Sequence, residues 1–417
     1  MKLTDDTLSE LRRLKSSPIF NLSLSSLELF HSNFIYWMLR QDKFTDKFTI
    51  FSDFDPVINE KGTELELKEV TREEQNLDIV LKFKSGKSED KKRKKGFYDH
   101  ILVIENKFKS LPKCEQLEGY LKKKLKAGTV SYILLSFSRP VFFLKDQGDE
   151  QGEWAPQNGK DKVWRFMHYG DLALRLQNKI LDDTSDIQQY HRELIQDYQE
   201  VIELLHDSFY DMELNGEDTF LFKEKDELIK TLRSIRLRDF YVKKQADKFC
   251  YDVYQQLRDD ISDAETFKDF GVGLKIKEKG KSEHKITVSS GMTNTQSIHD
   301  FKYRVSNDLV FGIQIQGKQY RRTIEGPPSR GGEVRRVAEE LLTSNKFHWF
   351  DLSDRVNEVE SRLYPKGGKD FNKYGNNFFY RSFYLDGTEK VNQIKQYVLE
   401  DMKYLHVHKE ELAKLSG

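Results

Sequence analysis

The sequence has few cysteines and no long apolar run. Its two cysteines, Cys114 and Cys250, lie far apart in a chain of 417 residues. This fits neither a disulfide framework nor a clustered metal site and indicates a reducing compartment. No stretch approaches the roughly 18 apolar residues that a membrane span requires, and the N-terminal residues lack a signal-peptide core. We therefore expect a soluble, cytoplasmic protein with no membrane partner.

The chain also lacks a net charge. It has 69 Lys+Arg and 69 Asp+Glu, so any attraction to nucleic acid has to come from a local surface rather than from a global field. Hydrophobic residues make up 37% of the sequence, which suffices for a globular fold, and the length exceeds that of one ordinary core. We predict two domains, at residues 1–210 and 211–417.

The pattern of the N-terminal half predicts a mixed α/β sheet flanked by helices. The segments with strand-like patterns are residues 64–70, 78–83, 99–108, 130–137 and the first part of 163–177. A helical pattern at 112–128 lies between two of these strands, and a long amphipathic helix follows at 187–207. Residues 145–162 carry turn formers and are predicted to be a surface loop. Strand, strand, strand, helix, strand is an order typical of α/β folds.

The second half predicts an α+β domain. Its helical patterns are at residues 223–261, 334–342 and 390–404, and its strand-like patterns are at 272–279, 284–290, 309–316 and 378–385. No motif assigns it a role. We expect it to serve target recognition, oligomerisation or contact with a regulatory partner.

One buried strand ends in polar residues whose spacing suggests chemistry. The aliphatic run Ile101–Ile104 leads directly into Glu105 and Lys107. Residues two apart on a strand project to the same face, so this acid and this lysine lie side by side. An antiparallel hairpin that sets Asp78 opposite Glu105 leaves the polar loop between the strands where the ladder ends. Two carboxylates and an ammonium then converge at one end of the sheet.

The convergence of Asp78 and Glu105 predicts a divalent-metal site. Two carboxylates this close repel each other unless a cation lies between them. Oxygen ligands and water suit Mg²⁺ or Mn²⁺, which polarise phosphoryl oxygens and lower the pKa of bound water. Lys107 could orient or deprotonate that water, or neutralise charge in the transition state. These residues predict phosphodiester hydrolysis.

The same residues resemble the PD-(D/E)xK nuclease superfamily, whose motif is an acid at a strand start followed by D/E-x-K on the neighbouring strand. Here the motif is Asp78 and Glu105-Asn106-Lys107. The resemblance extends to bacterial members in which a segment like Glu28–Phe34 opens the domain and a Q-L-x-x-Y helix, here Gln116–Tyr120, follows the motif strand. This chain departs from the pattern at Leu77, which stands where the motif has a proline.

The resemblance covers roughly the N-terminal half and implies a restriction-endonuclease-like fold with Mg²⁺-dependent nuclease activity. It further implies that Glu28 completes the metal shell with Asp78 and Glu105, and that Gln116 lines the site. DNA is the substrate that it favours, and many members act in restriction or anti-phage defence. A homodimer would supply two active sites for cutting both strands.

Simpler interpretations exist for several of these residues. Asp78, Glu105 and Lys107 could form a structural ion pair. Glu28 could be part of a capping box with Ser25 at a helix start. His31, on the same helix face as Glu28, fits a partly buried, hydrogen-bonded histidine, and Tyr120 fits a core residue.

A basic segment lies between the two hairpin strands. Its members Lys92, Arg93, Lys94 and Lys95 are predicted to bind the nucleic-acid backbone, although a solvated loop has the same composition. Further lysines follow Gln116, at Lys122, Lys123, Lys124 and Lys126. We predict an endonuclease acting on DNA; the alternatives are a binding module with inactive or trigger-dependent chemistry, and a nuclease that cleaves RNA.

Overall fold

The computed structural model describes most of the chain. The described residues are 9, 12–26, 28–41, 47–61, 64–85, 96–108, 110–143, 152–155, 162–181, 188–210, 214–221, 226–261, 267, 270, 285–293, 296–344, 346–353, 355, 363–364 and 370–415. They fall into two compact units. One contains Lys2–Met212 and Lys230–Phe240, and the other contains Glu213–Ile229 and Tyr241–Gly417. Within these described ranges, no helix combines the length and apolar character needed to cross a membrane.

The N-terminal unit is built around a sheet of six strands. They are β1 (Leu65–Glu74), β2 (Leu77–Ser85), β3 (Tyr98–Lys107), β4 (Ala127–Ser136), β5 (Glu153–Trp154) and β6 (Trp164–His168), in the order β1-β2-β3-β4-β6-β5. The pairs β3·β4 and β4·β6 are parallel and the other pairs are antiparallel. The predicted mixed α/β class is therefore confirmed. The short strand β5 lies in the segment predicted to be a loop, so that prediction is wrong there.

Helices cover both faces of this sheet. They are α1 (Pro18–Ser26), α2 (Glu28–Leu39), α3 (Pro56–Lys61), α4 (Cys114–Leu121), α5 (Tyr169–Leu176) and α6 (Gln189–Tyr210). Strand β3 is buried from His100 to Lys107, because its aliphatic run has packed neighbours on both sides. On one face, Ile101 and Val103 pack in a cluster with Leu117 of α4. On the other face, β3 contacts α2.

The second unit contains an antiparallel sheet. Its strands are β7 (Lys285–Thr293), β8 (Gln296–Arg304), β9 (Val310–Gln316), β10 (Gln319–Glu325), β11 (Leu363–Tyr364), β12 (Asn372–Tyr374) and β13 (Phe378–Tyr384), in the order β11-β13-β10-β9-β8-β7 with β12 beside β13. Its helices are α9 (Gly331–Thr343), α10 (Val391–Val407) and α11 (Lys409–Lys414), while α7 (Glu227–Ser234) and α8 (Arg238–Asp260) each have residues in both units. The predicted α+β composition is confirmed, but the sequence did not predict β8, β10, β11 and β12. The strand predicted at 272–279 lies outside the described residues.

A buried histidine makes the stability of the second unit depend on pH. His299 is 4% exposed, its ring packs against Phe220 and Phe249, and its Nδ1 lies 3.4 Å from the Ile315 carbonyl oxygen. Burial lowers the pKa of His299 from 6.5 to about 4. The unfolded chain therefore binds a proton between these values that the folded chain does not bind. The contribution of the neutral His299 to the free energy of unfolding is therefore fully present above pH 6.5 and is lost as the pH falls towards 4.

We expect His299 to account for roughly 3 kcal/mol of acid destabilisation over that range. Urea unfolding measured between pH 7 and 4 should show a shallower loss of stability for His299→Gln than for the wild type. The matched control is His348→Gln, at an exposed position, which should follow the wild-type curve. Parallel curves for the wild type and His299→Gln would contradict the prediction.

Candidate active site

Strands β2 and β3 bring two acids to the same end of the first sheet. Their antiparallel ladder pairs Ile79 with Ile104, which is the register predicted from the sequence. One further step of this register sets Asp78 opposite Glu105. Asp78 also accepts a hydrogen bond at its Oδ2 atom from the backbone N–H of Asn106, at 2.8 Å. The two predicted acids therefore meet from neighbouring strands.

The last three residues of β3 alternate between the two faces of the sheet. Lys107 Nζ lies 2.7 Å from Glu105 Oε1, and both side chains are buried. Asn106 points to the opposite face, where its Nδ2 donates to Ser32 Oγ at 2.8 Å. Its Oδ1 accepts from the Tyr169 hydroxyl at 2.5 Å. The central residue of the motif thus anchors the strand end to α2 and to the start of α5.

Helix α4 places two further side chains on Glu105. Gln116 and Tyr120 are four residues apart and share a helix face, while Leu117 and Leu121 of the same helix are buried in the core. The Gln116 Nε2 atom donates to Glu105 Oε1 at 3.1 Å and to the Tyr120 hydroxyl oxygen at 2.8 Å. The Tyr120 hydroxyl donates to the same Oε1 atom at 3.2 Å. Both predicted residues of the Q-L-x-x-Y segment therefore contact the motif glutamate.

Glu28 lies next to the lysine of the motif. Its Oε2 atom is 3.9 Å from Lys107 Nζ, and its Oε1 atom accepts a hydrogen bond from the hydroxyl of Ser110, a residue that the sequence did not single out. The capping-box interpretation is wrong, because Ser25 lies within α1, which begins at Pro18. The role of Glu28 as a metal ligand stays a prediction.

His31 belongs to the packed interior behind the site. Its ring is fully buried and stacks on Phe108, with 3.2 Å between ring centroids. The Nδ1 atom lies 3.3 Å from the Tyr198 hydroxyl oxygen. The interpretation of His31 as a hydrogen-bonded interior histidine therefore agrees with the structure, although its burial is complete rather than partial.

Burial and mutual repulsion perturb the two acids. The pKa of Glu105 rises from 4.5 to about 7, first because the carboxyl is buried and then because Asp78 is close, while Lys107 opposes the rise. Burial also raises the pKa of Asp78, against the opposing effects of the Asn106 N–H and of Lys107. Glu105 Oε2 is buried and has no hydrogen-bond partner among the described residues. A buried carboxylate oxygen without a partner favours either a proton or a cation.

These oxygens fit a hard divalent cation. Glu105 Oε2 and the Asp78 carboxylate are donors of the type that Mg²⁺ and Mn²⁺ prefer. In the described part of the chain, no group of three or more His, Cys, Asp or Glu side chains is arranged to hold a metal ion. A metal at this site would complete its coordination with water, as Mg²⁺ commonly does.

The predicted nucleic-acid-binding residues Lys92, Arg93, Lys94 and Lys95 lie outside the described residues. Their contact with a nucleic-acid backbone stays a prediction.

Comparison with known proteins identifies the N-terminal region. A family model described as the PD-(D/E)XK nuclease superfamily matches residues 18–204, a range that contains all the site residues described above. Neither the curated proteins nor the solved structures contain a match to the chain. The match covers residues 18–204, in the N-terminal half of the chain, and agrees with the superfamily that the motif residues predicted.

Proposed function

We propose that the protein is a cytoplasmic, Mg²⁺- or Mn²⁺-dependent endonuclease that hydrolyses phosphodiester bonds of DNA in restriction or anti-phage defence. The superfamily match supports a nuclease-type function with nucleic acid as the partner. One observation carries the metal-dependent chemistry. The buried Oε2 atom of Glu105 lacks a partner, while Asp78 and Lys107 lie beside the same carboxyl group.

Each site residue has a separate role in hydrolysis. A bound divalent cation would polarise a phosphoryl oxygen and lower the pKa of a water molecule. Asp78 and Glu105 supply carboxylate oxygens, and Gln116 holds Glu105 in place through Oε1. Lys107 Nζ orients the attacking water or neutralises charge that develops on the phosphoryl oxygens. A water oxygen bonds to phosphorus, one phosphoester P–O bond breaks, and the leaving oxygen takes up a proton.

Incubation of the full chain with linear DNA, circular DNA and single-stranded RNA tests the proposal. With Mg²⁺ or Mn²⁺ we expect cleavage of both DNA forms, because an endonuclease needs no free end. EDTA should abolish cleavage, since the carboxylates alone cannot polarise the phosphate. Products are read by gel electrophoresis.

Other outcomes of this experiment select the alternatives. Cleavage of RNA but not DNA would show that the substrate is RNA, and the proposed metal-dependent hydrolysis would stand. Binding of DNA without cleavage under every metal condition would support a binding module instead. Undiminished cleavage in EDTA would contradict metal dependence.

A further inference from the structure

A lysine just beyond α4 lies on the same side as the site residues of that helix. Lys123 follows Tyr120 by three residues, and its backbone N–H donates to the Tyr120 carbonyl oxygen at 3.1 Å. The Lys123 Nζ atom lies 4.3 Å from the centroid of the Tyr120 ring, a distance at which a cation interacts favourably with the π system. The ammonium is therefore held over the ring whose hydroxyl contacts Glu105.

The same ammonium contacts the turn that precedes Asp78. Lys123 Nζ donates a hydrogen bond to the backbone carbonyl oxygen of Gln75. Gln75 and Asn76 form the two-residue connection between β1 and β2, with φ angles of 54° and 60°, as in a hairpin turn that matches the strand twist. Lys123 thus connects the helix that carries Gln116 with the turn that leads into Asp78.

The charge of Lys123 is not matched by an ion pair. Lys123 contacts the Tyr120 ring and the Gln75 carbonyl oxygen, and no carboxylate of the described residues forms a salt bridge with it. In contrast, Lys122 pairs with Glu118 and Lys107 pairs with Glu105. Burial lowers the pKa of Lys123, and the negative charges of Glu105 and Asp78 oppose that effect. The cation therefore lies within the field of both acids without being paired to either.

We propose that Lys123 binds a backbone phosphate of the substrate strand, next to the phosphate that is cleaved. This inference rests on the proposed nuclease function. An ammonium has three N–H donors, so Lys123 can keep its bond to Gln75 and donate to a phosphate oxygen. A phosphate supplies the negative charge that the Lys123 ammonium lacks. The two acids mark the place where a neighbouring phosphate is cleaved. Contacts to phosphate carry no sequence information, so Lys123 contributes equally on DNA of any sequence.

The test compares Lys123→Met with Lys122→Met. Methionine keeps an unbranched apolar side chain over Tyr120 and removes the charge, while Lys122, with a side chain 70% exposed, controls for loss of one positive charge nearby. We expect Lys123→Met to raise the KM for DNA about tenfold and to change kcat less than about threefold. In EDTA, anisotropy of labelled DNA should show the slope of log K against log salt reduced by about 1. Lys123→Arg should restore both values.

Each outcome has a separate meaning. If the wild type cleaves DNA but Lys123→Met keeps the wild-type KM and salt slope, the phosphate contact is refuted and the nuclease function stands. A lower thermal unfolding midpoint with an unchanged salt slope would also refute it, because that result describes a purely structural residue. If the wild type neither binds nor cleaves nucleic acid, both proposals fall together.

Discussion

Replacing Lys107 with methionine is expected to reduce kcat for DNA hydrolysis by about 10³-fold, with a much smaller change in KM. A positioned group that transfers a proton or stabilises developing charge typically contributes 10²–10⁴-fold. Lys107 is placed to stabilise developing charge, because it is buried and its Nζ lies 2.7 Å from Glu105 Oε1, and, against the opposing effect of burial, the nearby acids raise its pKa and keep it charged. Steady-state cleavage rates at saturating metal would measure the effect.

Strand β1 offers a control with the same residue spacing. Glu66 and Lys68 form another acid-x-lysine ion pair, but their side chains are 61% and 40% exposed. Lys68→Met should therefore cleave DNA at the wild-type rate. If Lys107→Met were as active as Lys68→Met, the assignment of the motif lysine would be wrong.

Replacing Asp401 with alanine is expected to destabilise the second unit by roughly 3–5 kcal/mol, because it leaves a buried arginine without its counter-charge. The Asp401 carboxylate accepts two hydrogen bonds from Arg322, both at 2.8 Å. It accepts others from the Tyr320 hydroxyl at 2.8 Å and from Arg355 at 2.7 Å. Burial alone would raise the pKa of Asp401, but Arg322 and Arg355 hold it below the usual value.

The neighbouring residue Glu400 provides a control, because it forms an exposed ion pair with one of the same arginines. Glu400 also pairs with Arg355, but its side chain is 43% exposed, and exposed pairs contribute about 1 kcal/mol or less. Urea unfolding should show a large fall in midpoint for Asp401→Ala and a small one for Glu400→Ala. Equal effects would show that burial of the Asp401 network does not determine stability.

The part of the site that the sequence predicted depends on local pattern. The period of two along a strand placed Glu105 and Lys107 on one face and Asn106 on the other, and the hairpin register set Asp78 across from Glu105. Both of these inferences use residues within one strand or one hairpin. The place of Gln116 at the site was implied by the resemblance to the nuclease superfamily, and its i, i+4 spacing only set it on one helix face with Tyr120.

Contacts between residues distant in the sequence could not be predicted in this way. Nothing near Asn106 indicates that Ser32 and Tyr169 would hold it. Strand β10 was missed because its sequence QYRRTIE places charged residues within a strand. Arg322 is buried there only because Asp401, 79 positions later, supplies a counter-charge. Long-range pairing of this kind leaves no periodic signal in a single sequence.

The order of strands in the first sheet has a consequence for self-association. The two outermost strands are β1, whose solvent-facing positions include charged residues such as Glu66 and Lys68, and β5, which has two residues. Charged or very short edge strands resist edge-to-edge pairing with another chain. Two copies that cooperate in cutting a duplex would therefore not join their first sheets edge to edge into one continuous ladder.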